Sequence, residues 1–114
     1  MTRMTELERA IRAQPGELRR LAGLRLPPAV RQLAAGERVW LVGTGTSWHA
    51  AELGAAMLAR AGIDARFSTS NEFARLTPLR AGDAAIVISH TGETAYARAA
   101  RQRALDIGLS LIHI

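Results

Sequence analysis

RVWLVGTGTSWHAA, residues 38–51, places a strand, a loop and the start of a helix in direct succession. Residues 39–42 form a short apolar run, which is typical of a strand buried on both faces. Gly43 and Gly45 then allow a tight turn and a close approach of the backbone to a ligand, and a helix is expected from Ala50 onward. N–H groups and the positive dipole end at a helix N-terminus attract anions, so this loop is predicted to hold one.

A second segment of the same design, AAIVISHTGETA, covers residues 84–95. Its loop carries three hydroxyl groups, from Ser89, Thr91 and Thr94, around Gly92. We predict that these hydroxyls converge on one phosphate, together with backbone N–H groups near the glycine. Ser and Thr are also common helix caps and turn residues, so the hydroxyls of a single loop could have a purely structural role. A purely structural role is a weaker explanation when two such loops follow two different strands. The chain is therefore expected to hold a phosphorylated small molecule between the loops.

Strand and helix patterns alternate along the chain after residue 36. Strands are predicted at about 39–42, 63–68, 84–89 and 109–114, and helices at about 48–61 and 93–107. This alternation predicts a three-layer α/β sandwich with a parallel, doubly wound sheet, in which ligands bind beyond the carboxyl ends of the strands. No helix pattern follows the fourth strand, so the domain is expected to be incomplete at its C-terminus. The final residues, LSLIHI, also resemble adapter read-through from sequencing and would then not be native.

Residues 1–36 are predicted to form a helical lead-in. Thr5 and Glu8 have the spacing of a capping box. Pro15-Gly16 is expected to interrupt the helix, and Pro27-Pro28 to begin another. We expect this segment to brace the sheet or to pack on a partner subunit.

Composition limits the class of protein. The 114 residues fit one small domain, and no cysteine is present for a disulfide or a thiolate metal site. The net charge of +5 comes with fifteen basic residues, all arginine and scattered, which favours solvated helix faces over nucleic-acid binding. The sequence has neither a secretory signal nor an apolar run of about 18 residues, so we expect no membrane association and a cytoplasmic location.

The first loop differs from two nucleotide-binding motifs. Gly43-x-Gly45-x-x-Trp48 lacks the third glycine of a dinucleotide fingerprint, and no acidic residue ends the second strand to hold a ribose. A P-loop does not fit either, because the chain contains no Gly-Lys-Ser/Thr. We therefore expect no cofactor and no metal ion.

Taken together, GTGTSWHA at 43–50 and ISHTGET at 88–94 resemble the sugar isomerase (SIS) domain. The likeness is to the glucosamine-6-phosphate synthase type, whose loops typically carry GCGTSYHA and ISQSGET. The lead-in around Pro15 and the stretch Asn71-Glu72-Phe73 also resemble that family. The resemblance implies a flavodoxin-like fold of strand order 2-1-3-4-5 for residues 37–114, as the first of a tandem pair of SIS domains.

The resemblance also implies which residues bind substrate. Ser47 matches the serine that closes the first phosphate loop. Ser89, Thr91 and Thr94 match residues that bind the sugar's phosphate. His90 stands where relatives have a glutamine that faces the sugar. The implied substrate-binding set is Gly45, Thr46, Ser47, Ser89, His90, Thr91, Gly92 and Thr94.

Relatives with these loops isomerise or aminate ketose phosphates. That chemistry needs a general base, and in the family the base, the ring-opening histidine and a lysine come from a second domain, a C-terminal tail or a neighbouring subunit. The chain is thus expected to grip the phosphate without being active alone, and to form a homo-oligomer, a dimer, when full length. Two alternatives stay open: a phosphosugar-sensing module of a regulator, and a deglycase of phosphorylated fructosamines.

Overall fold

One parallel sheet organises the computed structural model, which describes residues 3–114 apart from the side chains at positions 29, 32 and 34. Its strands are β1 Val39–Gly43, β2 Ala65–Thr69, β3 Ala84–Val87 and β4 Ser110–His113. The order across the sheet is β2-β1-β3-β4, with every neighbouring pair parallel. This topology confirms the predicted doubly wound sheet and its order as far as the fourth strand.

Helices cover both faces of the sheet. Within the described residues they are α1 Glu6–Ala22, α2 Pro28–Ala34, α3 Thr46–Arg60, α4 Ser70–Arg75 and α5 Ala95–Ile107. The helix α3 and Leu33 of α2 pack on one face, whereas α4 and α5 pack on the other. The predicted three-layer α/β sandwich is confirmed. None of the helices in residues 3–114 combines the length and the apolar composition that crossing a membrane requires.

Successive side chains of β1 serve opposite layers, as the period of a strand requires. Val39 and Leu41 pack with buried alanines of α3. Trp40 and Val42 pack with Phe73 of α4 and with alanines of α5. Because alanine is small, α3 and α5 can pack closely on the sheet. The short connections from β1 to α3 and from β3 to α5 place the N-termini of these helices near the carboxyl ends of the two strands.

Gly43 ends β1 at a point of very close contact with α3. A Cβ at this position would lie 2.4 Å from the backbone carbonyl carbon and oxygen of Ser47. Only glycine therefore lets α3 begin this near the end of β1. The sequence predicts that a glycine is needed here so that a ligand can come close to the backbone. In the structure, the element that comes close to Gly43 is the start of α3.

The prediction of a break at Pro15-Gly16 is wrong, because α1 runs through both residues. Proline removes one helical N–H and so deprives the carbonyl of Ile11 of its partner. Every residue of α1 is exposed, so water can hydrogen-bond to that carbonyl instead. The predicted capping box is confirmed: Thr5 Oγ1 accepts the N–H of Glu8 at 3.1 Å, and the Glu8 carboxylate accepts the N–H of Thr5 at 2.7 Å.

Of the predicted lead-in, residues 1–36, only positions 1 and 2 lie outside the described residues. From residue 3 onward it contains α1 and α2. Among its described side chains only Leu33 is buried, where it joins the core between α3 and the sheet. This contact attaches α2 to the sheet side of α3, while the role of the lead-in as a whole and the boundary between residues 36 and 37 stay predictions.

Candidate functional site

The loops that follow β1 and β3 meet at the carboxyl end of the sheet. The two strands are adjacent and parallel, with Val42 opposite Val87, so both loops begin at the same edge. There they border a cavity of about 110 Å³. Its lining contains four of the predicted residues, Ser47, Ser89, His90 and Thr94, together with Thr44, Ser70, Ile88 and Ala97.

Ser89 is held in place by its own loop. Its Oγ accepts the N–H of Gly92 at 2.6 Å, which closes the turn between β3 and α5. Gly92 has a φ of +75°, a backbone conformation that favours glycine. Because Oγ is the acceptor in this bond, its hydrogen stays available for donation to an anion in the cavity.

Two helices begin beside the cavity without a capping side chain. Gly45 is the N-cap of α3 and Thr94 is the N-cap of α5, and no side chain of the described residues caps either helix. Neither first turn contains an acidic residue. The positive ends of both helix dipoles therefore lie at this end of the sheet without a neutralising carboxylate in their first turns, and they favour a bound anion.

The other four predicted residues lie in the same two loops or at the start of α3 but do not line the cavity. Gly45, with a φ of +61°, makes the turn into α3, and Thr46 is the exposed first residue of that helix. Thr91 is also exposed, and its Oγ1 accepts the N–H of Glu93 at 3.2 Å. Gly92 donates its N–H to Ser89. These residues shape the loops, and direct contact between them and a ligand stays a prediction.

Thr44 and Ser70 line the cavity but are missing from the predicted set. Ser70 begins α4 directly after β2, and it is completely buried. Its Oγ has no hydrogen-bond partner within the described part of the chain. A signal for this residue is present in the sequence, since Ser68, Thr69 and Ser70 form a hydroxyl cluster at a strand end, as the two recognised loops do.

The lining of the cavity is almost entirely neutral. Five of its eight residues carry a hydroxyl group, none carries a carboxylate, and His90 alone is titratable. No three His, Asp or Glu side chains in the described range lie together as a metal ion would need. An anion at this place would meet hydroxyl donors and helix N-termini.

The opposite end of the sheet carries a buried ion pair. Arg38 precedes β1 and Asp83 precedes β3, and two nitrogens of the guanidinium donate to the two carboxylate oxygens at 2.7 and 2.8 Å. The indole N–H of Trp40 and the backbone N–H of Arg80 also donate to Asp83, at 3.1 and 2.9 Å. Burial by itself raises the pKa of the Asp83 carboxyl, but these hydrogen bonds outweigh it and hold the pKa below its ordinary value of 3.8.

The chain is similar in fold to solved structures of other proteins. No family model and no curated protein matches the chain. Among solved structures, that of E. coli CFT073 c3406 in complex with arabinose 5-phosphate matches with a TM-score of 0.70 and 24% sequence identity. The two chains share a fold. The match covers 98% of this chain and 65% of c3406, so the chain corresponds to less than two thirds of that protein's length.

Proposed function

We propose that this chain binds a phosphorylated sugar, with the phosphate group in the cavity between the loops after β1 and β3. The observation that carries the proposal is the convergence of the two loops. Ser47 lies in the first turn of α3, directly after one loop, and Ser89 and Thr94 belong to the other loop, yet all three line a single cavity. The fold shared with c3406 supports it, because that protein was solved with arabinose 5-phosphate, which is a phosphosugar.

The size of the cavity matches a phosphate group rather than a whole sugar phosphate. Its volume of about 110 Å³ is well below the roughly 300–1,000 Å³ of pockets that enclose a complete small-molecule ligand. The sugar would therefore extend outward past exposed lining residues such as Thr44 and His90. His90 is then the lining residue best placed to influence which sugar is accepted.

Neutral donors suit this task. A hydroxyl that donates to a charged oxygen forms a stronger hydrogen bond than it forms to a neutral one. Several such bonds, with two helix N-termini, can hold a dianion without a buried cationic side chain. Because no ion pair has to be broken, the ligand can leave again readily.

Within this function, we propose that the chain is the phosphate-gripping part of a sugar-phosphate isomerase or aminotransferase of the SIS type. The two loop motifs support this assignment. Proton transfer between neighbouring sugar carbons needs a general base, and no carboxylate is present among the eight lining residues. We therefore expect the chain to bind sugar phosphates without converting them. A phosphosugar sensor would behave in the same way. The two are distinguished by a longer version of the chain that includes downstream sequence, which should convert the sugar phosphate only if the protein is an enzyme.

Isothermal titration calorimetry tests the binding proposal. Arabinose 5-phosphate, fructose 6-phosphate and glucosamine 6-phosphate are titrated into the chain beside unphosphorylated arabinose. At least one phosphorylated sugar should bind, and arabinose should not. Each of Ser89→Ala and Thr94→Ala should weaken that binding by roughly tenfold or more, since each removes a bond to a charged group. Equal binding of arabinose, or unchanged binding by both variants, would contradict the proposal.

Two threonines at helix N-caps give a matched control. Thr5 caps α1 through its side chain, whereas Thr94 makes no capping bond to α5. Thr5→Ala should therefore reduce the helix content seen by circular dichroism, with a local cost of about 0.5–2 kcal/mol, and leave the affinity unchanged. Thr94→Ala should show the opposite pattern.

A further inference from the structure

Ser70 is a completely buried polar residue in the lining of this cavity. It is 0% exposed, it lines the cavity, and its Oγ has no hydrogen-bond partner among residues 3–114. Buried hydroxyl groups in native proteins are nearly always hydrogen-bonded, so an unpaired one calls for an explanation. A bound ligand in the cavity would supply the missing partner.

The two residues before Ser70, in contrast, both use their hydroxyl groups in hydrogen bonds within the protein. Ser68 donates its hydroxyl hydrogen to the carbonyl of Thr69 at 3.0 Å and lies 3.3 Å from the hydroxyl of Thr77. Thr69 Oγ1 accepts the N–H of Glu72 at 3.2 Å. Of the three consecutive hydroxyl residues at the end of β2, two thus make side-chain hydrogen bonds within the described residues, whereas the third, at the cavity, makes none.

The sheet register explains why Ser70 reaches a site built by other loops. The last residue of β2, Thr69, is paired with Gly43, the last residue of β1. Ser70 follows Thr69 directly, so it lies next to the loop that contains Thr44 and Ser47. The cavity is therefore bordered by residues that follow β1, β2 and β3.

We infer that the Ser70 hydroxyl donates a hydrogen bond to the bound phosphate, which makes the end of β2 a third element of the phosphate site. This inference rests on the proposed function. The phosphate, rather than the sugar, is the acceptor because Ser70 is completely buried, whereas exposed lining residues such as Thr44 and His90 mark the side where the sugar extends. A dianion also supplies several strong acceptor oxygens for donors on different strands.

The test compares Ser70→Ala with Ser68→Ala in the full chain. Affinities for inorganic phosphate and for arabinose 5-phosphate are measured by calorimetry, and the melting temperature of each ligand-free variant is recorded. Ser70→Ala should weaken binding of both ligands to a similar extent, by roughly tenfold or more, without lowering the melting temperature, since no internal bond is lost. Ser68→Ala should lower the melting temperature and leave both affinities unchanged.

Three results would overturn the inference, and they point to different errors. If Ser70→Ala binds like the unmodified chain while Ser89→Ala does not, Ser70 is not a ligand-binding residue and the proposed function stands. If Ser70→Ala loses arabinose 5-phosphate but keeps inorganic phosphate, the hydroxyl contacts the sugar instead. If the unmodified chain binds neither phosphate nor any phosphorylated sugar, the proposed function fails together with the inference.

Discussion

The two ends of the central sheet are built from different chemistry. At the amino ends of β1 and β3, the buried charges of Arg38 and Asp83 satisfy each other and are joined by the indole N–H of Trp40. At the carboxyl ends of the same strands, hydroxyl residues line a cavity, and the Oγ of the buried Ser70 has no hydrogen-bond partner within the described residues. Satisfied polar groups stabilise a fold, while unsatisfied ones remain available for a ligand. The difference supports the proposal that the amino ends stabilise the fold and the carboxyl ends bind a ligand.

The largest effect should come from breaking the ion pair. Asp83→Ala leaves the buried Arg38 guanidinium without its carboxylate, and removal of one partner of a buried pair costs about 3–5 kcal/mol. Urea denaturation followed by circular dichroism measures this loss in the free energy of unfolding. Such a loss is a large part of the total stability of a small domain.

The exposed pair Arg66–Asp64 is the matched control for this variant. Its side chains are half exposed and 3.2 Å apart. Asp64→Ala should cost between about 0 and 1 kcal/mol, because solvent screens an exposed pair. If the two aspartate variants lose similar stability, the amino ends do not have the structural role assigned to them.

A smaller loss of stability should follow from Gly43→Ala. This variant should affect both the stability of the fold and the binding of the ligand. The new Cβ would lie 2.4 Å from the Ser47 backbone, so the start of α3 has to move. We expect a loss of about 1–3 kcal/mol in stability, as for other overpacked sites, together with weaker binding of arabinose 5-phosphate. Both are measured on the same sample, by urea denaturation and calorimetry.

Gly16 provides the control for a glycine without such a neighbour. No atom lies within 4 Å of the position its Cβ would take, and the residue is inside α1. Gly16→Ala should stabilise the helix by about 0.5–1 kcal/mol and leave binding unchanged. Loss of affinity in this variant, or full affinity in Gly43→Ala, would show that the start of α3 does not position the site.

Protonation of Asp83 in acid should lower the free energy of unfolding by less than the Asp83→Ala substitution does. The pKa of Asp83 is lower in the folded chain than its ordinary value of 3.8, so the unfolded chain binds more protons in this range. The contribution of Asp83 to stability is therefore complete above about pH 4 and is lost as the pH falls through the lowered pKa. Protonation weakens the pair without removing the side chain, which makes the effect milder than truncation.

The comparison variant for acid is Asp83→Asn. Its stability, measured by urea denaturation between about pH 2 and pH 6, should rise less steeply with pH than that of the unmodified chain. Parallel curves for the two proteins would contradict the lowered pKa of Asp83.

The sequence predicted most of the sheet and the meeting of the two loops. Apolar runs followed by glycine and hydroxyl residues are local signals, and the parallel order then places the two loops at one edge. The ion pair depends instead on register, because Arg38 and Asp83 become neighbours only once Val39 is paired with Ala84. No local pattern connects two residues that are 45 positions apart.

Two other features needed the packed structure. Ser70 belongs to a visible hydroxyl cluster, but only tertiary packing shows that it is buried at the cavity and that its Oγ has no partner among the described residues. The helix α1 continues through Pro15, which sequence propensity does not predict, and its exposure leaves the freed carbonyl of Ile11 open to water.

Amide chemical-shift mapping by NMR tests the division between the two ends most directly. The ¹H–¹⁵N spectrum of the chain is recorded as arabinose 5-phosphate is added. We predict that the largest shifts occur at Ser70 and in residues 43–48 and 88–97, which are the two loops with the first turns of α3 and α5, while Arg38 and residues 80–84 at the amino ends stay unchanged. Shifts centred on the amino ends, or a folded chain that shows no shifts with any phosphorylated sugar, would contradict the assignment of binding to the carboxyl ends.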